Sequence, residues 1–543
     1  MLMIRNEIIG AIRKVVRRDI HLEFPENFQH GDYSTNAAMQ FGLDAKKIVL
    51  KLSKDKKLSK IVSKIEIAGP GFINFFLSKK TLYDNLNMIN LEKLKYGKSG
   101  IGKDKTVVVE YSSPNIAKRF SIGHLRSTIV GQALYNFYKV IGYKVIGDNH
   151  LGDWGTQFGV LLRQFTIYNL QFTDLTIDKL EDLYVRFNKS AKENPKLWEE
   201  ARAWFAKLEK GDPEARKIWT EIRKLSLEEF DEIYSKLGVK IDHEHGESFY
   251  EDKIDSIVKE LRNKGISIKS QGAEIIEFSD HPPAMIIKSD GTSTYFTRDL
   301  AQVKFRLDEY RPSKIIYEVG ADQTLHFRQL FSAVGKLGWG KDVEFVHIPH
   351  GLIQLESGKM STRAGKTIKL SEVLDKAIKK ASELGAKTGP LAEKVGIGAI
   401  KWNDLKREPK TGFTFNWDEI LNMQGNSGPY MQYTYARAKS VLRKTKIALK
   451  TVPYSISLTT EEEVILRYLS RFPEILVNAA DNYSPNLLCE YLFALAGAYN
   501  AFYNKHKIIG DPNEAGRIAL TKATVQVIKN GLLILGINVP ERM

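Results

Sequence analysis

The sequence has 543 residues, 43% of them hydrophobic and 27% charged, a composition that is ordinary for a globular protein and a length that predicts about three or four domains. Lys and Arg outnumber Asp and Glu by 81 to 65, and the net charge of +16 favours RNA or DNA as a partner over a neutral molecule, although a solvated lysine-rich surface would give the same balance. A single cysteine, Cys489, excludes intramolecular disulfides and cysteine-rich zinc sites, and no run approaches the ~20 apolar residues of a membrane span.

Residues 1–98 are predicted to form a small α+β domain. The first 20 residues form an amphipathic helix with charges throughout, and they lack the apolar stretch of a secretory signal, which predicts a cytoplasmic protein. A polar loop at 32–36 leads into a second helix, a lysine-dense helix follows at 46–64, and strand-like runs flank 68–71. The loop and the basic surface could contact RNA, and a solvated face is an equal alternative.

Residues 99–159 are predicted to form the first half of a Rossmann-type domain. The β-branched run at 107–111 is typical of a buried parallel strand, an amphipathic helix follows at about 123–140, and a second strand begins at 143–146. A helix N-terminus after a strand offers unpaired N–H groups to a phosphate, and His124 at that position could add a donor. Most such units bind nothing at a given turn, so this segment alone leaves nucleotide binding open.

Composition divides the rest of the chain into four segments. They are a charged, helical, Trp-bearing insertion with one β-rich piece (160–287), the second Rossmann half (288–372), a linking helical region (373–415) and a bundle of helices (416–543). Cys489 lies in an apolar helical run of the last segment and is predicted to be a small core residue. The predicted fold is therefore α/β, with a Rossmann-type parallel-sheet core, an insertion, a small N-terminal α+β domain and a C-terminal α-helical bundle.

Two motifs in the Rossmann halves indicate a chemistry. Gly123-His124 opens the first helix, and a glycine-flanked basic loop, Gly358–Lys366, follows about 235 residues later with Lys359-Met360-Ser361 inside it. Together they resemble the HIGH and KMSKS motifs of class I aminoacyl-tRNA synthetases. Further motifs resemble those of arginyl-tRNA synthetases over nearly the whole chain: Gly31-Asp-Tyr33, Glu110-Tyr-Ser-Ser-Pro-Asn115-Ile-Ala-Lys118, Leu151-Gly-Asp-Trp-Gly-Thr-Gln-Phe158, Tyr295-Phe-Thr-Arg-Asp299, Asp322-Gln-Thr-Leu-His326, Asn426-Ser-Gly-Pro-Tyr430-Met-Gln-Tyr433 and Pro540-Glu-Arg-Met543.

The resemblance implies an arginine pocket in which Glu110, Tyr295 and Asp299 hold the guanidinium while Asn115 and Gln323 orient the backbone end. The chemistry supports it, because a planar, always charged guanidinium is best met by carboxylates and a hydroxyl in a fork. Tyr295 and Asp299 are four residues apart and would share one helix face. The alternative for this pair is a surface helix on which the carboxylate pairs with a neighbouring cation: Arg298 or Lys304.

The resemblance also implies an ATP site. Ser121, Gly123 and His124 would contact the phosphates and Gly320 and Asp322 would face the ribose, while Lys359 and Ser361 would stabilise the leaving pyrophosphate. The implied catalytic residues are His124, Lys118, Lys359 and Ser361. The arginine carboxylate attacks the α-phosphorus of ATP to give arginyl-adenylate, and the 3′ terminal hydroxyl of tRNA(Arg) then takes the arginyl group. No protein nucleophile is needed, no metal-ligating residue is predicted, and ATP and Mg²⁺ are implied.

The sequence departs from the family pattern at two places. Ser121 stands where HIGH has its first histidine, and Thr362-Arg363 stand where KMSKS has its second lysine. Arginyl enzymes that lack that lysine often carry one upstream of HIGH, and Lys118 matches the position, so Lys118 is predicted to take its role. The other candidates are basic neighbours: Arg119, Arg363 and Lys366.

An aromatic and basic face in the last segment is predicted to bind tRNA. Tyr430, Tyr433 and Arg437 fall at i, i+3 and i+7, and aromatic rings stack on unpaired bases. The resemblance adds Tyr503 and Met543 to this anticodon-binding surface and places Asn36 in a loop that contacts the tRNA elbow. An aromatic stripe packed in the helix core is the alternative for the tyrosines.

The family is usually monomeric and commonly needs bound tRNA before it activates arginine, and both are expected here. Two rival interpretations remain: a class I synthetase for another amino acid, and a catalytically inactive RNA-binding relative.

Overall fold

The structure, a computed structural model, describes residues 2–354, 368–447 and 458–543. The chain divides into two compact units, unit 1 with Met1–Ser99 and Asn422–Met543, and unit 2 with Gly100–Leu421. The two ends of the chain therefore share one unit. The six-segment division made from composition stays a prediction.

The N-terminal part of unit 1 packs five helices with a three-stranded antiparallel sheet of order β1-β3-β2. Its elements are α1 (Leu2–Val16), β1 (Tyr33–Thr35), α2 (Ala37–Gln40), α3 (Ala45–Leu52), α4 (Leu58–Ile61), β2 (Val62–Ala68), β3 (Phe72–Leu77) and α5 (Lys79–Glu92). The central strand β3 buries Ile73, Phe75 and Leu77 at alternate positions, as a strand with one face on a core does. This part has the predicted α+β character.

The polar loop at 32–36 is largely buried, so both sequence interpretations of it, an RNA contact and a solvated face, are wrong for Asp32 to Thr35. Asp32 accepts a hydrogen bond from the backbone N–H of Leu77 (2.7 Å) and pairs with Arg467 (3.5 Å). Tyr33 donates its hydroxyl proton to Glu474 (2.5 Å). Arg467 and Glu474 come from the C-terminal part of unit 1, more than 400 residues away in sequence. Of this loop, Asn36 alone is exposed.

Unit 2 is built on a four-stranded parallel sheet of order β10-β9-β4-β5. The strands of this unit are β4 (Thr106–Glu110), β5 (Lys144–Asp148), β6 (Ser267–Ser270), β7 (Ala273–Ile276), β8 (Ala284–Ile287), β9 (Lys314–Gly320), β10 (Glu344–His350), β11 (Ile353–Gln354) and β12 (Phe413–Thr414). The helices are α6 (Leu125–Val140), α7 (Thr156–Ile167), α8 (Ile177–Glu193), α9 (Leu197–Glu209), α10 (Pro213–Leu237), α11 (Ile254–Asn263), α12 (Tyr295–Tyr310), α13 (Thr324–Leu337), α14 (Leu370–Glu383), α15 (Gly389–Leu405) and α16 (Trp417–Ile420).

The parallel sheet confirms the predicted Rossmann-type core. Val107, Val108 and Val109 in β4 have no exposed surface, because this strand lies between two others and is covered by helices. The helix α6 returns the chain from β4 to β5 and packs closely on the sheet. A side-chain carbon at Gly131 would lie 2.1 Å from Cβ of Tyr111, so only glycine permits that approach.

The inserted region between β5 and α12 contains five α-helices, α7 to α11, and a three-stranded antiparallel sheet of order β6-β7-β8. Its main helix–helix packing joins α7 to α9, where a side-chain carbon at Gly159 would lie 2.0 Å from the carbonyl oxygen of Ala201. The predicted β-rich piece near residue 272 is this small sheet.

The C-terminal part of unit 1 is the predicted bundle of helices: α17 (Gly428–Lys444), α18 (Thr460–Asp481), α19 (Asn486–Lys505) and α20 (Glu514–Ile534). Thr459 and Glu462 form a capping box that fixes the start of α18. Cys489 is fully buried in α19, as predicted. In the parts of the chain that the structure describes, no helix has the length and apolarity to cross a membrane.

A buried ion pair ties α6 to α15 in unit 2. Arg126 and Asp404 are each 1% exposed, and Arg126 Nε donates to Asp404 Oδ1 (2.9 Å). The same guanidinium donates to the carbonyl oxygens of Gly351 (3.1 Å) and Thr411 (2.6 Å). It therefore holds the chain next to the end of β10 as well as α15.

We expect Arg126→Met to destabilise unit 2 by about 3–5 kcal/mol, because it leaves the Asp404 carboxylate buried without its counter-charge. Thermal and urea denaturation measure the change. The double variant Arg126→Met with Asp404→Leu is expected to regain part of the loss, since it removes both charges. A single variant within about 1 kcal/mol of the wild type would show that the pair contributes little.

Candidate active site

The candidate site lies at the carboxyl ends of the parallel strands of unit 2, where open α/β sheets bind ligands. Glu110 ends β4 and stands opposite Asp148 at the end of β5 and Tyr317 on β9. Gly320 and His350 are paired at the ends of β9 and β10. Acidic and basic side chains are thus concentrated on one edge of the sheet.

One face of α12 is directed to this edge. Tyr295, Asp299, Gln302 and Arg306 fall at i, i+4, i+7 and i+11, so they follow one another along the same side of the helix. Tyr295, in the first turn, is 61% exposed, whereas Arg306 has no exposed surface. The face therefore runs from an open end to a buried one.

Asp299 is held by two histidines. His326 Nε2 lies 2.7 Å from Asp299 Oδ2, and His150 Nε2 lies 3.5 Å from Oδ1. Burial would raise the pKa of this carboxyl, but hydrogen bonds from both histidines outweigh it and hold the pKa well below its usual range. Asp299 is thus an ionised carboxylate in a largely water-excluded place.

The alternative for Asp299, pairing with a neighbour on its own helix, is wrong. Arg298 pairs with Glu251 and lies 3.9 Å from Glu247, and Lys304 pairs with Asp308 (3.0 Å). The carboxylate of Asp299 instead faces the sheet edge.

Glu110 is engaged by a guanidinium of the chain itself. Arg306 Nη1 lies 2.7 Å from Glu110 Oε2, and Arg306 Nη2 lies 2.8 Å from Asp148 Oδ2. Gln302 accepts from Nη1 (2.9 Å), and the Tyr317 ring lies 5.4 Å from the guanidinium carbon. A carboxylate has acceptor sites for several donors, so Glu110 can accept a hydrogen bond from a ligand while it is paired with Arg306.

His150 and Glu247 are the remaining members of the cluster of acidic and basic side chains at the sheet edge. Burial favours a neutral imidazole, but Asp299, Glu110 and Glu247 together raise the pKa of His150 to about 10. Burial raises the pKa of Glu247 to about 7, although His150 and Arg298 oppose it. The edge of the sheet therefore carries groups whose protonation is set by one another.

His124 lies at the start of α6, in contact with Ser121. The backbone N–H of Ser121 donates to Nδ1 of His124 (3.1 Å), so the neutral ring carries its proton on Nε2. Burial, and next the nearby charge of Lys118, lower the pKa of His124 to about 4. His124 is therefore a neutral hydrogen-bond donor, with Gly123 exposed beside it and Ser121 supporting the ring.

The basic residues around this turn differ in their contacts with other side chains. Arg119 is paired with Asp178 (2.8 Å) and Glu181 (3.1 Å), which occupies its charge. The Nζ of Lys118 lies 5.6 Å from the Tyr184 ring centre, and its charge is near enough to the His124 ring to lower the pKa of that histidine. Of the candidates for the missing lysine, the geometry favours Lys118 over Arg119.

The predicted ribose side is a short 3₁₀ turn, Ala321–Gln323, directly after β9. Asp322 and Gln323 are exposed there. A side-chain carbon at Gly320 would lie 2.7 Å from Asp322 Oδ1 and 3.6 Å from His350 Nε2. The backbone at Gly320 therefore lies close to both of these polar side chains. His350 Nδ1 is held by the buried Glu318 (3.1 Å).

The remaining predicted residues divide between described and undescribed parts of the chain. Asn115 is exposed and forms a parallel bridge with Gly152, next to the edge of the sheet. The predicted loop residues lie outside the described residues: Lys359, Ser361, Thr362, Arg363 and Lys366.

Several residues of the site escaped the sequence interpretation: Asp148, His150, Glu247, Arg306, His326 and His350. Signals existed for two of them, because His150 follows the second strand by two residues and Arg306 is seven residues beyond Asp299 on the same helix face. Glu247 comes from the insertion and had no signal.

The aromatic and basic side chains that are predicted to bind tRNA lie close together in unit 1. The Arg437 guanidinium carbon lies 4.7 Å from the Tyr433 ring centre and 5.3 Å from that of Tyr503. Asn500, which the sequence did not indicate, accepts from Arg437 (3.2 Å) and donates to the Tyr430 hydroxyl (3.0 Å). Tyr433, Tyr503 and Met543 are each more than a third exposed, so a stripe packed in the core is wrong for the two tyrosines.

Three family models match the chain in order: the arginyl-tRNA synthetase N-terminal domain (residues 2–77), the catalytic domain of class I (R) tRNA synthetases (85–417) and the DALR anticodon binding domain (431–543). Arginine–tRNA ligases of Clostridium botulinum and Clostridium beijerinckii are 38% and 39% identical over 99% of this chain and 100% of their own. The fold matches the arginyl-tRNA synthetase structures of Plasmodium falciparum (TM-score 0.84, 24% identity, 99% of both chains) and Thermus thermophilus (TM-score 0.83, 22% identity, 99% of this chain and 100% of that one).

Proposed function

The chain belongs to the arginyl-tRNA synthetases of class I, and we propose that the carboxyl edge of its parallel sheet, with α12 and the start of α6, forms the site at which it activates arginine. Its activity is the charging of tRNA(Arg) with arginine at the expense of ATP. The rival interpretation as a synthetase for another amino acid is thereby excluded. The observation that carries the site assignment is the ionised, largely buried carboxylate of Asp299 at the sheet edge.

Arginine is bound through its guanidinium by Asp299, with the exposed Tyr295 hydroxyl at the open end of the same helix face. A buried carboxylate suits a guanidinium because this cation is weakly hydrated and donates in a planar fork. Glu110 adds negative charge from the end of β4 while it holds Arg306. Asn115 and Gln323, both exposed near strand ends, orient the amino and carboxylate groups of the substrate.

ATP is bound across the start of α6 and the turn after β9. The neutral His124 donates its Nε2–H, and the exposed backbone of Gly123 at the same helix start adds donors to the phosphates. Ser121 fixes the His124 ring, and its predicted phosphate contact stays a prediction. Gly320 gives the ribose close access to the backbone and Asp322 accepts from its hydroxyls.

Catalysis follows from position and charge. The arginine carboxylate attacks the α-phosphorus, the bond to the bridging oxygen breaks, and pyrophosphate leaves with the electron pair. Lys118 stabilises that developing charge, together with Lys359 and Ser361. In the second step the 3′ terminal hydroxyl of tRNA(Arg) attacks the arginyl carbonyl, and AMP leaves.

Mg²⁺ would be held mainly by ATP. Among the described residues no group of three or more His, Cys, Asp or Glu is placed to hold a metal. Mg²⁺ is commonly bound by substrate phosphates with few protein ligands, so the site fits an ion that arrives with the nucleotide and partly neutralises its charge. We propose further, on the family resemblance, that the protein acts as a monomer in the cytoplasm and needs tRNA(Arg) before it activates arginine.

ATP–pyrophosphate exchange tests the proposed site. With arginine and tRNA(Arg) together we expect exchange, and with either alone much less. An exchange rate with arginine alone that equals the rate with arginine and tRNA(Arg) together would show that tRNA is not required for activation. The absence of exchange under every condition would favour the inactive RNA-binding relative.

We expect Arg437→Ala and Tyr433→Ala each to raise the KM for tRNA(Arg) about 5- to 150-fold, because a base stacked on an aromatic or guanidinium plane contributes ~1–3 kcal/mol. The KM for arginine at saturating tRNA should change little. Lys505→Ala is the matched control, since it removes one positive charge from the neighbouring helix α19 without removing a stacking plane. An unchanged KM for tRNA in both variants would place the anticodon elsewhere.

A further inference from the structure

His150 has acceptors on both ring nitrogens. Nδ1 lies 3.0 Å from the carbonyl oxygen of His245, and Nε2 lies 3.5 Å from Oδ1 of Asp299. A backbone carbonyl and a carboxylate can only accept, so both contacts favour a proton on the ring nitrogen that faces them. The arrangement selects the doubly protonated imidazolium.

The groups around His150 come from several elements and are mainly acidic. Asp299 faces it from α12, Glu110 from the end of β4 and Glu247 from the segment Glu247–Lys253, where the Tyr250 ring also lies 5.8 Å away. His326 reaches the same carboxylate from α13, and Arg298 lies beside Glu247. This surrounding raises the pKa of His150 to about 10, in agreement with the hydrogen-bond geometry.

The cation of His150 therefore occupies the oxygen of Asp299 that an arginine substrate would use. His326 holds the other oxygen at 2.7 Å, which fixes the orientation of the carboxylate. A guanidinium that approaches Asp299 meets a positive charge already in place. Two cations side by side in a buried site are unfavourable, so one charge must leave.

We propose that arginine binding displaces the Nε2 proton of His150, so that the imidazolium is a stand-in for the substrate's guanidinium in the free enzyme. The inference rests on the arginine site proposed above. The guanidinium keeps all its protons and donates to Asp299. The His150 proton passes to the solvent, Nδ1 keeps its proton on the His245 carbonyl, and Nε2 gains a lone pair that accepts an N–H of the guanidinium.

The replacement of the His150 proton by the guanidinium leaves the charge of the site unchanged, since one proton leaves when one cation enters. It also turns His150 from a competitor into a ligand. His150 is thus a specificity-determining residue, and its Nε2 is complementary to a planar donor such as guanidinium. His326 acts as a positioning residue, through Asp299.

The test is the pH dependence of the KM for arginine in charging assays at saturating ATP and tRNA(Arg), between about pH 6.5 and 8.5. Release of one proton predicts that the KM of the wild type falls about tenfold per pH unit as the pH rises. His150→Gln cannot release this proton, so its KM should depend much less on pH. Any other titration in the assay is shared by both proteins and cancels in the comparison.

Two further variants isolate the source of the proton. His281→Gln changes a histidine in the same unit that bonds Ser332 (3.0 Å) and should keep the wild-type slope. Glu247→Gln removes the other group of the site that titrates near neutral pH, and it should keep most of the wild-type dependence of the KM on pH. Calorimetry of arginine binding to the complex with tRNA(Arg), in buffers of different ionisation enthalpy, should give about one proton released by the wild type and none by His150→Gln.

A wild-type KM that does not change with pH, or a slope that persists in His150→Gln and disappears in Glu247→Gln, would overturn the inference. The melting temperature and the KM for ATP show whether His150→Gln is folded. If one of these contrary pH results is found while the wild type charges tRNA(Arg) normally, the proposed arginine site stands and only the proton exchange fails. If it does not use arginine at all, the proposed function fails.

Discussion

Replacing Asp299 by asparagine is expected to lower kcat/KM for arginine by roughly 10²- to 10³-fold, which makes it the most damaging substitution among those that keep side-chain size. The change leaves the substrate guanidinium buried without its counter-charge, and losing one partner of a buried ion pair costs about 3–5 kcal/mol. It also leaves His150 and His326 without the carboxylate that both of them contact. The loss is measured in charging of tRNA(Arg), and the KM for ATP should stay within a few-fold of the wild type.

Asp308→Asn is the matched control for this variant. Asp308 lies on the same helix, is 62% exposed and pairs with Lys304 (3.0 Å), so its replacement should leave kcat/KM nearly unchanged. Because the pKa of Asp299 is lowered in the folded state, its charge stabilises the fold at neutral pH and loses that effect as the pH falls through the lowered pKa. Asp299→Asn should therefore also melt somewhat lower. Full activity with arginine would remove Asp299 from the binding site.

Lys118→Ala is expected to slow arginyl-adenylate formation by about 10²- to 10³-fold. The removal of one preorganised charge that stabilises a leaving oxyanion costs about 3–4 kcal/mol in comparable sites. Lys118 is close enough to His124 to lower the pKa of its ring, which places its charge at the predicted phosphate site. Rapid-quench measurement of adenylate formation reads out the effect, and the affinity for tRNA(Arg) should change little.

Two neighbouring substitutions make the Lys118 result specific. Lys118→Arg keeps the charge and should retain a substantial part of the rate. Arg119→Ala removes the adjacent cation, which is already paired with Asp178 and Glu181, and should have a smaller effect on adenylate formation. An unimpaired rate in Lys118→Ala would end its assignment as the replacement for the missing lysine.

The strands and the candidate site differ in how well they could be predicted from sequence. A β-branched run at 107–111 predicted β4, Thr106–Glu110, within one residue, because buried parallel strands are recognisable from local composition. The side chains at the carboxyl ends of parallel strands must meet, yet the sequence interpretation did not include Asp148 at the end of β5. Motifs with a fixed spacing on one helix, such as Tyr295 and Asp299, were also accessible.

Pairings between distant parts of the chain could not be predicted. Helical spacing could place Arg306 on the same face as Asp299, but it could not predict that Arg306 is fully buried against Glu110 and Asp148. The burial of Asp32 depends on Arg467, which lies on a helix near the other end of the chain. Such contacts are set by tertiary packing, and a single sequence contains no signal for them.

The protonation state of the site was similarly inaccessible. His150 is charged because three acids from separate elements surround it, and none of those distances follows from the order of the residues. Once the geometry is known, the acceptors on both ring nitrogens determine the state directly. Structure therefore adds the electrostatics of the site to the residue types that sequence supplied.

Charging by this chain requires an arginine side chain whose positive charge pairs with the carboxylate of Asp299, and this requirement can be tested with an uncharged analogue. The most direct measurement is charging of tRNA(Arg) with radiolabelled arginine and with citrulline, which has a similar shape but an uncharged urea group, at equal concentrations. We expect charging with arginine and a discrimination against citrulline of at least about 10²-fold, because citrulline cannot form the ion pair. Charging with citrulline at a comparable rate, or transfer of a different amino acid instead of arginine, would contradict it.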